Sequence, residues 1–260
     1  MKVVILAGGM GTRLAEETEV RPKPMVEIGG RPILWHIMKH YAHYGLKEFC
    51  IALGHKGEFI KQFFLDYYRI SRDVTIDLGQ GHVEVRNNLD TEDWIVHLES
   101  TGLESLTGER IRRLRDKLDG ETFMVTYGDG VSDVNFTDLL AFHKRVGKLA
   151  TVTAVRPPAR FGGLIIDGDI VADFTEKAQA GEGWINGGFL VFEPGVFDFI
   201  DEGNVSLEVG VLEKLADSGE LACYKHDQFW QCMDTTRDLR ILRDLWEGGR
   251  APWKVWANGH

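Results

Sequence analysis

The feature that most constrains this chain is an apolar strand at its start that runs directly into a glycine loop. Val3 to Leu6 is an unbroken, mostly β-branched run, and glycines end it at once in Leu6-Ala7-Gly8-Gly9-Met10-Gly11-Thr12-Arg13-Leu14. A strand apolar on both faces belongs inside a parallel sheet that helices cover on both sides. Open α/β sheets bind ligands at the carboxyl ends of their strands, so the loop stands where a small molecule would be held. Its glycines let successive backbone N–H groups close around an anion, although a glycine turn after a strand is also an ordinary connection.

The periodicity further along agrees with such a sheet. Ile33, Leu34, Ile37, Met38 and Tyr41 recur at helical spacing after Pro32, Gly45 stops the helix, and Glu48 to Leu53 is a second apolar strand. Glu58 to Tyr68 reads as another helix. Between residues 73 and 100 the period changes to alternation, in Val74 to Leu78, His82 to Arg86 and Trp94 to Leu98, which predicts an antiparallel meander. Arg110 to Lys117 carries Ile111 and Leu114 at helical spacing, predicting a helix with its charges turned to water, with a phosphate patch as the lesser reading. Thr122 to Tyr127 is a buried strand that meets Gly128-Asp129-Gly130, Asp138 to Val146 is helical, and Ala150 to Val155 is one more strand. Short strands around Leu164, Ile170 and Gly188 and helices near Val196 and Val209 complete the chain. The fold class is α/β: a doubly wound, mainly parallel sheet with an added antiparallel β meander. With 260 residues and 43% hydrophobic content, one domain over residues 1–256 and a tail at 257–260 are expected.

Several function classes are disfavoured. A formal net charge of -10 with scattered basic residues argues against a nucleic-acid partner, which needs clustered Lys and Arg. No stretch approaches the roughly 20 apolar residues of a membrane span, and Val3 to Ala7 is too short for a secretory signal, so a cytoplasmic protein without a membrane partner is expected. Cys50, Cys223 and Cys232 are too few and too far apart for a zinc site or disulfide framework and read as buried thiols. The glycine loop also fails two familiar patterns. Leu14 stands where a dinucleotide fold needs its third glycine, and no string of the P-loop type occurs.

Charged residues near strand ends suggest what the loop serves. In Arg21-Pro22-Lys23-Pro24-Met25 two prolines stiffen the backbone around a lysine, which alone reads as a plain surface lysine but with Arg13 would neutralise the charge on a leaving pyrophosphate. Asp129, flanked by glycines at a strand end, is a natural Mg²⁺ ligand, with Asp133 or Asp234 as a second. Asp234 before Thr235 also suits a plain helix cap. His36, His40 and His43 lie along a helical run and read as structural or exposed.

The glycine string followed by Pro22-Lys23-Pro24 resembles the sugar-1-phosphate nucleotidyltransferases. The resemblance continues in order through Tyr127-Gly128-Asp129-Gly130, Phe174-Thr175-Glu176-Lys177, Trp184-Ile185-Asn186-Gly187-Gly188-Phe189 and the segment from Trp230 to Thr235, so it spans nearly the whole chain. Glu16-Glu17-Thr18, Pro32 to His36, Leu106 to Arg110 and Ala251 to Trp256 are most similar to the branch that joins CTP to glucose 1-phosphate.

The resemblance implies an Mg²⁺-dependent enzyme that uses CTP and a sugar 1-phosphate in one in-line displacement, serving polysaccharide or deoxysugar synthesis. Leu6, Ala7, Gly8, Gly9, Gly11, Thr12 and Arg13 would hold the nucleotide, with Lys23 on its phosphates and Thr107, Arg110 and Gly128 beside it. Asp129 and Asp234 would share the metal; Arg13, Lys23 and Asp129 would be the catalytic groups. Lys177 would take the acceptor phosphate and Asn186 with Gly187 the sugar, in an acceptor-binding part at about 156–240. A homo-oligomer is also implied. Ala178 replaces the usual proline after Glu-Lys, and Ser206-Leu207-Glu208 lacks an aromatic found in some relatives, so the acceptor is the least determined partner. A different base such as thymine, a different phosphorylated acceptor, and a catalytically silent nucleotide sensor remain as alternatives, and participation of Asp133 or Glu208 stays open.

Overall fold

The structure, a computed structural model, describes the chain except residues 12–13, 71–72, 86–91, 119, 158–162, 168–169, 176–182 and 258–260. Its main sheet contains β1 (Lys2–Ala7), β2 (Glu48–Leu53), β3 (Ile95–Ser100), β4 (Phe123–Tyr127), β5 (Ala150–Val155), β6 (Ile185–Asn186), β7 (Leu190–Phe192) and β8 (Leu221–His226). β1 lies parallel between β2 and β4, and β3 continues the sheet in parallel beyond β2. On the other side β6 and β7 run antiparallel to β5, β7 also pairs antiparallel with β4, and β8 lies parallel to β5. One reversed segment therefore joins two parallel groups, as a doubly wound, mainly parallel sheet allows.

The alternation of β1 places its side chains in two separate apolar layers. Val3, Ile5 and Ala7 pack with helix α1 (Ile33–His43), Phe136 and Leu139 of α2 (Phe136–Val146), and Leu239 and Leu242 of α3 (Thr236–Glu247). Val4 and Leu6 enter the opposite layer with Ile111, Leu114, Leu207 and Val211. Asn135 caps α2 by accepting from the Thr137 and Asp138 amides, and Gly147 ends it in the left-handed conformation.

Two local expectations change. Val74–Asp77 and His82–Val85 form an antiparallel hairpin, but Ile95–Ser100 is the parallel edge strand of the main sheet rather than the third strand of a meander. One face of this edge strand packs Val96 and Leu98 on the core while His97 and Glu99 on the other pair with Glu48 and Lys117, so its alternation imitates that of an antiparallel ribbon. The basic stretch is two short helices, Thr107–Arg112 and Arg115–Leu118, and Arg110 points inward instead of to water. Its charge is accommodated by carbonyl oxygens, which hydropathy alone does not reveal. Of the cysteines only Cys50 is buried; Cys223 is exposed on β8.

The C-terminal tryptophans pack on their own core. Trp253 is fully buried, and Trp246, Trp253 and Trp256 surround His36. His36 Nε2 lies 2.9 Å from the Ile28 carbonyl, while the Trp253 indole N–H donates to its Nδ1. His40, one turn on, lies 3.0 Å from the Val134 carbonyl, whereas His43 is exposed. Burial pushes His36 down to about 4 and His40 to about 3. Both rings are thus neutral in the folded protein.

A depressed histidine supports folding fully above its unfolded value near 6.5, and that support is lost as pH falls toward the folded value. For His36 the loss between pH 6.5 and 4 is about 3 kcal/mol. Thermal unfolding at pH 7 and pH 4.5 should show a marked loss of stability for the unaltered chain. The loss should be about 2 kcal/mol smaller in His36→Gln, which cannot gain a proton in the unfolded state.

Candidate active site

The glycine loop leaves the carboxyl end of β1 and is held there by Arg110. The Arg110 guanidinium, 4% exposed, donates from Nη1 to the Leu53 carbonyl at 3.0 Å, the Thr101 hydroxyl at 2.7 Å and the Gly102 carbonyl at 2.8 Å. From Nη2 it donates to the carbonyls of Gly8 at 3.1 Å and Leu103 at 3.3 Å. The end of β2, the loop after β3 and the glycine loop thus share one donor group. Burial, with Arg113 nearby, lowers the affinity of this guanidinium for its proton, but its five oxygen partners replace lost hydration. Gly8 is required by this packing: a Cβ there would lie 2.2 Å from Arg110 Cζ.

A cation and two carboxylates meet beside the loop. Pro22 is extended, Lys23–Met25 forms a single 3₁₀ turn, and the Val26 amide closes it on the Lys23 carbonyl. Asp129 follows β4, where the Gly128 amide donates to the Leu6 carbonyl at 3.0 Å. Gly130–Ser132 then pairs antiparallel with Trp230–Cys232, and the Met233 amide donates to the Asp129 carbonyl at 2.8 Å. This ladder brings Asp234 alongside Asp129 despite their separation in sequence. The cap of α3 belongs to Thr235 in a reciprocal pair with Asp238, so the Asp234 carboxylate is not its capping group. Lys23 Nζ lies 2.6 Å from Asp129 Oδ2 and 2.5 Å from Asp234 Oδ1. Burial opposes the ammonium charge, yet the two carboxylates outweigh it and hold Lys23 above the ordinary lysine range.

Hard oxygen donors on a strand end suit Mg²⁺, which binds through one or two carboxylates and completes its shell with water and substrate phosphates. Among the described residues no group of three or more His, Cys, Asp or Glu side chains converges as a metal site. Asp129 and Asp234 therefore fit a cation shared with a phosphate substrate rather than one held by protein ligands alone. Asp133 is engaged elsewhere, 2.9 Å from His226 Nε2.

The facing wall is a network of hydroxyls around Glu208. Leu207–Leu212 is a turn of π-helix, and the Ser206 side chain accepts from the Glu208 and Val209 amides at its start. Glu208 accepts from Thr107 at 2.8 Å, Ser206 at 2.6 Å and Tyr127 at 2.5 Å. Burial alone would raise the Glu208 carboxyl, but these donors hold it below its usual range; burial and the Glu208 charge raise the Tyr127 phenol. Asn186 donates to the Tyr127 hydroxyl at 3.3 Å. It stands before a bulge in which Gly188 and Phe189 both have positive φ, at +77° and +48°. Such backbone is strained at Phe189 and re-aims a strand end.

These elements surround a cavity of about 400 Å³, within the range that small ligands occupy. Leu6, Ala7, Gly8, Gly9, Gly11, Lys23, Thr107, Arg110, Gly128 and Asp129 all line it. Asp234 reaches it through Lys23, and Asn186 through Tyr127. Gly187 is engaged on both backbone groups, donating to the Thr153 carbonyl and accepting from the Trp230 indole. Thr12, Arg13 and Lys177 lie outside the described residues. Tyr127 and Ser206, which the sequence does not single out, also line the cavity, as does Glu208, whose part the sequence leaves open. Tyr127 had a signal, because it is the polar end of a buried strand immediately before Gly128-Asp129.

Residues 2–248 match the nucleotidyl transferase family. A Salmonella typhi protein named glucose-1-phosphate cytidylyltransferase is 50% identical over 257 residues, 98% of this chain and 100% of that one. The catalytic subunit beta of mannose-1-phosphate guanylyltransferase from Dictyostelium discoideum is 29% identical over 92% of this chain and 62% of its own length. Among solved structures, the inositol-1-phosphate CTP transferase from T. maritima superposes with a TM-score of 0.65 at 14% identity, covering 98% of this chain and 97% of that one. This last similarity is one of fold.

The packing at Gly8 predicts that Gly8→Ala costs about 1–3 kcal/mol, since the guanidinium must move and lose buried acceptors. Chemical denaturation checks this. The same substitution at Gly9, where an added Cβ would meet nothing within 4 Å, should leave the midpoint within about 0.5 kcal/mol.

Proposed function

The chain belongs to the nucleotidyl transferase family of sugar-1-phosphate nucleotidyltransferases, and from that premise we propose that it transfers a cytidylyl group from CTP to α-D-glucose 1-phosphate, giving CDP-glucose and pyrophosphate. The observation that carries the reading is the convergence in one cavity of the glycine loop, Lys23 and Asp129, with Asp234 on the same ammonium. The choice of CTP and glucose 1-phosphate is carried over from the relative of Salmonella typhi, half identical along the full length of both chains.

The phosphate oxygen of the sugar phosphate attacks the α-phosphorus of CTP, the bond to the β-phosphate oxygen breaks, and pyrophosphate leaves on the opposite side. The nucleophile is already ionised at neutral pH, so placement and charge neutralisation supply the rate. The amides of the glycine loop and the side chains of Arg13 and Lys23 hold the triphosphate. Asp129 and Asp234 hold Mg²⁺, which when bound polarises phosphoryl oxygens and offsets charge on the leaving group. Lys177 takes the acceptor phosphate. Asn186 and the Tyr127 hydroxyl face the sugar, while Glu208 fixes Tyr127 and Thr107 across the cavity. The enzyme acts in the cytoplasm as a homo-oligomer and supplies activated glucose for polysaccharide or deoxysugar synthesis.

Pyrophosphate release across a panel of nucleoside triphosphates and acceptor phosphates should give the highest kcat/KM for CTP with glucose 1-phosphate. A preference for dTTP or GTP would overturn the cytidylyl assignment, and CTP binding without turnover would point to a nucleotide sensor. Asp129→Asn should lower kcat by about a thousandfold with the fold retained. Lys177→Ala should raise KM for the sugar phosphate by about 10–100-fold, the worth of one charge-assisted hydrogen bond, with KM for CTP little changed.

A further inference from the structure

We propose that Lys23 stands in for the divalent cation when no metal is bound, and that metal binding displaces its ammonium from the carboxylates toward the phosphates of the nucleotide. The inference rests on reading Asp129 and Asp234 as the metal pair. Its basis is geometric: Nζ lies at 2.6 and 2.5 Å from one oxygen of each carboxylate, bridging groups from distant parts of the chain. Side by side without a cation, two partly buried carboxylates would repel strongly. The ammonium removes that repulsion and leaves the three groups with one net negative charge.

The same side chain cannot keep this position when a divalent cation lies between the carboxylates. A metal and an ammonium would then stand within a few ångströms in a partly buried site, where like charges repel strongly. Lys23 has another place to go. Its stem packs against Gly11, whose added Cβ would lie 3.2 Å from Lys23 Cβ, and its side chain lines the same cavity as Gly8 and Gly9. The side chain is thus anchored beside the glycine loop, and rotation of its outer bonds carries the ammonium from the carboxylates to the loop. A polyphosphate there would accept the displaced charge. Metal and nucleotide therefore assist each other, and by linkage each tightens the other by the same factor.

The test is Mn²⁺ binding to the unaltered chain and to Lys23→Met, followed by electron paramagnetic resonance of free Mn²⁺ and by calorimetry. Without nucleotide, Lys23→Met should bind Mn²⁺ at least about tenfold more tightly than the unaltered chain, because no charge-assisted hydrogen bond is broken. Saturating CTP should tighten Mn²⁺ binding to the unaltered chain by more than it does for the variant. Equal or weaker Mn²⁺ binding by Lys23→Met without nucleotide would overturn the proposal. Absence of Mn²⁺ binding in every form, CTP-saturated enzyme included, would instead overturn the metal assignment of Asp129 and Asp234 and the proposal with it. Should Lys23→Met fold poorly, crystals of the unaltered chain soaked in Mn²⁺ decide: Nζ should leave both carboxylates, and an ion bound with Lys23 still bridging them would refute the exchange.

Discussion

The first strand has side chains that must leave water on both sides, and this requirement organises the rest. Val3, Ile5 and Ala7 enter one apolar layer while Val4 and Leu6 enter the other, so β1 can be buried only between two strands and beneath two sets of helices. Parallel pairing with β2 and β4 follows, and it brings the carboxyl ends of three strands together. From those ends come the glycine loop, Gly54 and Gly128-Asp129. An alternating, one-faced first strand would have allowed an edge position and left the loop without this company.

Two cations meet the glycine loop under different conditions. Arg110 is enclosed by neutral oxygens from three segments, and moving it would separate its partly desolvated charge from five acceptors. It serves as a brace. Lys23 instead contacts two carboxylates at the wall of an open cavity, where other cations and anions can compete for its partners. A planar, permanently charged fork suits the first task, and a compact ammonium on a flexible stem suits the second.

The legible parts of the sequence were those where local pattern and long-range contact agree. The apolar run of β1, the spacing in α1 and the glycine-flanked Asp129 each carry their own placement. Ile95–Ser100 misled because a partly covered edge strand has the alternation of a ribbon. Arg110 misled because its partners are backbone carbonyls from segments far along the chain, which no helical spacing encodes. Asp234 was ambiguous next to Thr235, and only the pairing of Trp230–Cys232 with Gly130–Ser132 separates the capping residue from the one beside Lys23. The hydroxyl network of Glu208 was hidden for the same reason: Thr107, Tyr127 and Ser206 meet only in the folded chain.

The reversed segment through β6 and β7 has a consequence for how such a site can diversify. Asn186 reaches the cavity from the end of β6, before the bulge at residues 187–189 that leads into β7, whereas the glycine loop and Asp129 come from the ends of β1 and β4. The two sides of the cavity therefore hang on backbone of opposite direction. Substitutions before the bulge can change the shape offered to one reactant while β1 and its brace stay in register. On the proposed assignment of the two reactants, selection can retune the acceptor side and keep the donor side, so descendants of one ancestral chain can inherit the latter intact and explore new acceptors.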